Sequence, residues 1–191
     1  MIYDLHIHIN PHADEGEIYE YEMYAKMLNI QVAGFVIHYV PTMPEKLLKN
    51  FRDVVSTFSV KAYTGAEIYY PATKEPSGFD YYLYHFSNII VDAEILRRLE
   101  SVIIAHPFAY GMKIDESAIP LMEKNNIAVE CNSAHYHPKL KKFYNKLREY
   151  GIIIPFGSDA HTPGEMGSGF DELSDLISPL EKVENYLNSF D

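Results

Sequence analysis

The chain has 191 residues, 47% of them hydrophobic, with 16 Tyr and 10 Phe, a length and composition that fit one folded domain and exclude a disordered chain. The formal charge of −11 disfavours a phosphate-backbone binder that works through Lys and Arg, so nucleic acid is an unlikely partner on composition alone. A lone cysteine, Cys131, rules out an intrachain disulfide framework, and its apolar flank reads as a buried structural thiol.

In chain order, strand-length apolar runs fall at Ile2 to Ile9, Val32 to Ile37, Val60 to Ile68, Tyr81 to Phe86, Val102 to Ala105, Ile127 to Asn132 and Ile152 to Phe156. Between them Glu17 to Leu28, Pro44 to Val55, Ala93 to Leu99, Glu116 to Asn125 and Lys139 to Tyr150 carry apolar residues at three- and four-residue spacing, as helices packing on a sheet do. Asp115 and Gly151 read as a helix N-cap and C-cap. Pro71 to Gly78 reads as a loop, and the tail from Pro179 as a last amphipathic helix. Alternation of strand and helix predicts an α/β fold with a parallel sheet. The opening MIYDLHIHIN lacks a basic segment followed by a long apolar run, and no unbroken stretch of about 18 apolar residues occurs, so a soluble, cytoplasmic protein without membrane contact is expected.

Most of the nine histidines sit at the ends of these runs. His6 and His8 end the first, His38 follows AGFVI, Glu67 lies in TGAEIYY, His85 in DYYLYHF, His106 follows SVIIA, and Asp159 and His161 follow GIIIPFGS. Strand C-terminal ends form the active rim of parallel β/α folds, so residues from different strands can meet there. In H-x-H and D-x-H both side chains point to one side of a strand. Mixed imidazole and carboxylate donors suit zinc, manganese or iron better than calcium. The residues therefore predict a metal-dependent hydrolase.

DLHIH, His38, GAE, AHP and GSDAH, in that order from residue 4 to residue 161, resemble the PHP (polymerase and histidinol phosphatase) family of metal-dependent phosphoesterases. The resemblance implies a distorted, TIM-like (β/α)7 barrel holding two to three divalent metal ions. It implies that His6, His8, Glu67 and Asp159 hold the first metal, that Glu67 bridges to a second held by His106 and His85, and that Asp14, His38 and His161 hold the third. Asp14 is preferred over His12 on spacing within HINPHADEG. The implied chemistry is hydrolysis of a small phosphate ester by a water or hydroxide bridging divalent metals, with Glu67, Asp159 and His161 as the catalytic set.

After the sixth run, Asn132 and His135 are expected to contact substrate, Glu130 to line the cavity, and His137 to lie on a loop. Lys74 and Lys113 read as solvated loop lysines. HINPHADEG and GAEIYY also look like the protein tyrosine phosphatase branch of the same family. A metal-dependent amidohydrolase and a non-catalytic metal-binding scaffold complete the alternatives. Oligomeric state is left open by the sequence.

Overall fold

The computed structural model describes residues 2–71 and 75–190; Lys74 lies outside them. In chain order the elements are β1 (Ile2–His8), α1 (Glu15–Met27), β2 (Ile30–Tyr39), α2 (Glu45–Val55), β3 (Lys61–Tyr69), β4 (Tyr81–His85), β5 (Ile90–Val91), α3 (Ala93–Leu96), β6 (Ile103–Ile104), β7 (Lys113–Ile114), α4 (Ile119–Lys124), β8 (Ala128–Val129), β9 (Cys131–Asn132), α5 (Lys141–Glu149), β10 (Phe156–Gly157), α6 (Phe170–Leu173) and α7 (Leu180–Leu187). The α/β class and the parallel sheet agree with the alternation in the sequence. Strands β1, β2, β3, β4, β6 and β8 pair in that order, every neighbour parallel.

The distorted, TIM-like (β/α)7 barrel is corrected to a curled, half-barrel sheet of six strands with helices around it. The seventh run supplies only Phe156 and Gly157 to a short ladder with Cys131 and Asn132. Pro155 removes a donor beside that ladder. The carbonyls of Ile153 and Pro155 still accept from Val129 and Cys131, at 3.1 and 2.8 Å. On the other side a single bridge joins Ile7 to Ala160. The small β5/β7 pair is an addition that the apolar runs do not signal, because each strand is two residues long.

Close packing inside the curl explains two glycines. The Tyr81 ring is fully buried beneath Gly34 and Gly65, its hydroxyl donating to the Leu5 carbonyl at 2.6 Å; a Cβ at Gly65 would overlap the ring, and one at Gly34 would overlap its hydroxyl and the Leu5 backbone. Burying a side chain of that size stabilises the fold by about 2 kcal/mol or more. The apolar body of Tyr81 thus fills the layer below the histidines, and its phenol satisfies a carbonyl of the strand that carries them. Phe35, Phe51, Leu83, Ile103 and Leu147 belong to the same core. Asp115 caps the turn that leads into α4, and Gly151 takes φ of +71° after α5, as their residue types predict.

Candidate metal centre

Strand alternation sends Asp4, His6 and His8 of β1 to one side, while Leu5 and Ile7 point into the core. Asp4 is fully buried and fixes the GSDAH turn to β1. It accepts from the backbone of His6, Ser158 and Gly167 and from the Ser158 hydroxyl, the last at 2.6 Å. That clamp carries Asp159 over the two histidines. Asp159 itself takes φ of +58° and His106 φ of +26°, left-handed backbone that non-glycine residues adopt at a cost of about 1–2 kcal/mol.

The resulting distances are short and mutual. His6 Nε2 and His8 Nε2 are 3.1 Å apart, and Asp159 Oδ1 is 3.5 Å from the first and 3.3 Å from the second. Donors about 2.0–2.1 Å from one zinc at tetrahedral angles stand about 3.3–3.4 Å from each other, so the spacing suits one shared cation. Glu67 lies between two sets of imidazoles. Its Oε1 is 3.2 Å from His85 Nδ1 and 3.0 Å from His106 Nε2. Its Oε2 is 2.7 Å from His38 Nδ1, 3.6 Å from His8 and 3.9 Å from His6. That oxygen is buried without a well-aligned hydrogen bond to any of them. A carboxylate so placed can serve two cations at once. His8, His38 and His161 form a further group of converging nitrogens, their rings stacked at 4.1 and 4.3 Å. The donor set, rich in imidazole with two carboxylates, fits borderline divalent metals.

Charge and burial set the protonation states of the protein groups. Burial alone would lower His6, but Glu130, Glu67 and Asp159 outweigh it and raise its pKa to about 10. Burial, reinforced by the neighbouring His6 and His38 and opposed by Asp159, lowers His8 to about 4. Burial would raise Glu67, yet His106, His38 and His85 at its oxygens hold it well below the usual carboxylate range. Asp159 is likewise held low, with His135 and His8 outweighing its burial. At neutral pH and without a cation the centre thus has two ionised carboxylates, a neutral His8 and a protonated His6, so a cation binding there displaces one proton from His6.

Asp14 does not join this centre. It is exposed and accepts from the Glu17 backbone at 3.0 Å as the N-cap of α1, and it belongs to none of the metal-competent groups found among the described residues. His12 is also exposed, its backbone held by Asn10. Asn132 is buried and ties Glu130 Oε2 at 3.1 Å to the His135 backbone at 3.3 Å, a bracing position within the protein. His135 does reach the centre, with Nε2 3.3 Å from Asp159 Oδ2 and 3.4 Å from the Tyr110 hydroxyl. His137 caps the turn at Lys139, and Lys113 lies exposed in β7.

Three neighbours escaped the sequence reading as parts of the centre. Glu130, expected only to line the cavity, contacts His6 Nδ1 at 2.8 Å and accepts from the His106 backbone at 2.6 Å. Tyr69 and Tyr110, about half exposed, pack on the His85 ring with centroids 4.4 and 4.9 Å away. Glu130 was signalled by being a carboxylate in a strand of small apolar residues. The tyrosines carried no signal among 16 of their kind. Beside Asp159 and His161 opens a cavity of about 600 Å³, lined also by Ser133, Ser158, Ser168, Glu165 and Glu172.

No helix among the described residues is long and apolar enough to cross a membrane. No protein-family profile matches the sequence, and no curated protein matches it. Among solved structures, the fold is similar to that of a chain in a cryo-EM structure of archaeal ribonuclease P with mature tRNA, with a TM-score of 0.62 at 13% identity, covering 98% of this chain and 90% of that one.

Proposed function

We propose that the chain is a metal-dependent phosphoesterase acting on small phosphate esters, in keeping with its resemblance to the PHP family. The observation that carries this reading is the convergence of His6, His8 and Asp159 on one point, next to a Glu67 carboxylate whose two oxygens face different imidazoles. His6, His8, Asp159 and Glu67 would hold a first divalent ion; Glu67, His85 and His106 a second; His38 and His161, beside His8, a third. Zinc, manganese or iron bound there would lower the pKa of water and neutralise phosphoryl charge.

The chain's own groups prepare that chemistry. His8 stays neutral near pH 7 and offers a lone pair at Nε2. His161 engages the Asp159 carbonyl through Nδ1 at 2.9 Å, which puts its proton there and leaves Nε2 free. Ile7, Ala105 and Ala160, next in sequence to candidate ligands, and the Glu67 end of β3 are buried. His135 and the Tyr110 hydroxyl stand at the rim, where each can donate to a phosphoryl oxygen. The cavity beside Asp159 has the size of a small-molecule site.

Incubating the metal-loaded protein with a phosphomonoester, a phosphodiester, a phosphotyrosine peptide and an amide panel tests this reading. Turnover of the monoester supports it, peptide turnover alone selects the tyrosine phosphatase alternative, and amide turnover alone selects an amidohydrolase. Metal binding with no turnover of any substrate leaves a scaffold.

A second reading is association with RNA, since the fold is shared with a chain of a tRNA-bound assembly. The net charge of −11 opposes it. Salt-dependent retention of tRNA by the purified protein would favour this reading, and no retention at low salt would remove it.

A further inference from the structure

We infer that Glu130 is the positioning residue that couples two of the candidate ligand positions; this rests on the proposed metal centre. Glu130 is 1% exposed and follows β8. Three groups converge on its carboxylate: the His6 ring through Nδ1 at 2.8 Å, the His106 backbone N–H at 2.6 Å and the Asn132 amide at 3.1 Å. Two of these come from residues whose Nε2 atoms face the other carboxylates of the centre.

The chemistry requires a carboxylate here. The His106 N–H and the Asn132 Nδ2 are donors and meet Oε2, while Oε1 takes the proton of His6 Nδ1. With that proton fixed on Nδ1, the opposite nitrogen of His6 is the one presented to a cation, and the ring cannot turn without losing the bond. The bond to His106 N holds a backbone at φ of +26° that would otherwise relax. Glutamine offers one acceptor and one donor at these two positions, so it meets both His6 and the His106 N–H only if the His6 proton moves from Nδ1 to Nε2, the nitrogen that faces the centre.

The neighbouring fold makes room for this group. Gly157 of GSDAH packs against it so closely that a Cβ there would overlap the Glu130 carboxylate and crowd the His6 Cβ. The Tyr144 hydroxyl holds the Glu130 carbonyl at 2.9 Å from the other side. The glycine of the motif is therefore explained by a residue that stands 27 positions earlier (157 less 130).

The test pairs two variants and two readouts. Glu130→Gln preserves volume, and its zinc affinity, measured by competition with a chromophoric chelator, is expected to fall 10- to 100-fold. In Glu130→Ala the hydrogen-bonded Nδ1 proton of His6, followed by proton–nitrogen NMR in the metal-free protein, is expected to move upfield and exchange faster with water. Unchanged zinc affinity in Glu130→Gln together with an unchanged Nδ1 resonance in Glu130→Ala would overturn the assignment. A melting temperature that falls in both variants with neither readout altered would reduce Glu130 to a packing residue and equally overturn it. If the wild-type chain binds none of zinc, manganese and iron, the proposed function fails, and the Nδ1 resonance alone decides whether Glu130 positions His6.

Discussion

The Nε2 atoms of His6 and His8 face each other at 3.1 Å. Two imidazole nitrogens that close must share a proton or a cation, because two lone pairs repel and two N–H groups collide. Asp159 Oδ1, within 3.5 Å of both, completes a three-donor face. Opposite pKa shifts in the pair, His6 up to about 10 and His8 down to about 4, mean that without a cation one ring carries the proton and the other accepts.

Asp159 separates charge from backbone strain. Its φ of +58° is tolerated by asparagine better than by alanine. Asp159→Asn is expected to lower turnover at least 100-fold and to reduce metal content while melting near the wild-type temperature. Asp159→Ala should show the same loss and a further destabilisation of about 1 kcal/mol. Turnover unchanged in Asp159→Asn removes the carboxylate from the centre.

His85 tests the second ion position. Its only carboxylate contact among the described residues is Glu67 Oε1 at 3.2 Å, and its other nitrogen meets Ser87 Oγ at 2.8 Å. His85→Ala is expected to bind one metal ion fewer per chain by elemental analysis. The same stoichiometry as wild type would assign that position to other residues.

Asp14 is expected to behave as a helix cap. Asp14→Ala should destabilise the protein by about 1 kcal/mol in denaturant unfolding, through the lost bond to the Glu17 backbone, with metal stoichiometry retained. Loss of an ion would place Asp14 back among the ligands.

The pH dependence of the metal-free protein follows from two histidines shifted in opposite directions. His6, raised to about 10, contributes stability that is complete below its unfolded value of about 6.5 and is lost as pH rises towards 10. His8, lowered to about 4, contributes stability present above about 6.5 and lost as pH falls towards 4. Glu67 and Asp159, both held low, add to the loss below about pH 4.5. Melting temperature of the chelator-treated protein should therefore peak near pH 6.5 and decline on both sides. A monotonic rise from pH 6.5 to 10 would contradict the protonated state of His6.

The candidate centre was legible in the sequence because its residues sit where strands end, a position that depends on local alternation alone. DLHIH and GSDAH display both their pairs directly. Spacing along the chain cannot tell a metal ligand from a helix cap, and Asp14 followed by Glu15 and Glu17 is also a good helix start, the place it takes in the structure. Glu130 was underweighted because its role depends on β1, β6 and β10 meeting across long sequence separations. The (β/α)7 barrel is what the family resemblance implies, and the seven apolar runs agree with it, but the seventh run does not pair as a full strand. Ile152 to Phe156 is apolar enough for a strand, but Pro155 lacks a ladder donor and only Phe156 and Gly157 pair. Apolar pattern reports burial, and Ile152 and Ile154 are indeed buried; it does not report how many ladder bonds form.

The central claim is a multinuclear metal centre that hydrolyses phosphate esters. Elemental analysis of protein purified without chelator, paired with hydrolysis of an aryl phosphate in added manganese or zinc, tests it most directly. Two to three ions per chain with turnover that chelator abolishes and metal restores is the expected result; a metal-free chain that stays inactive after loading would contradict it.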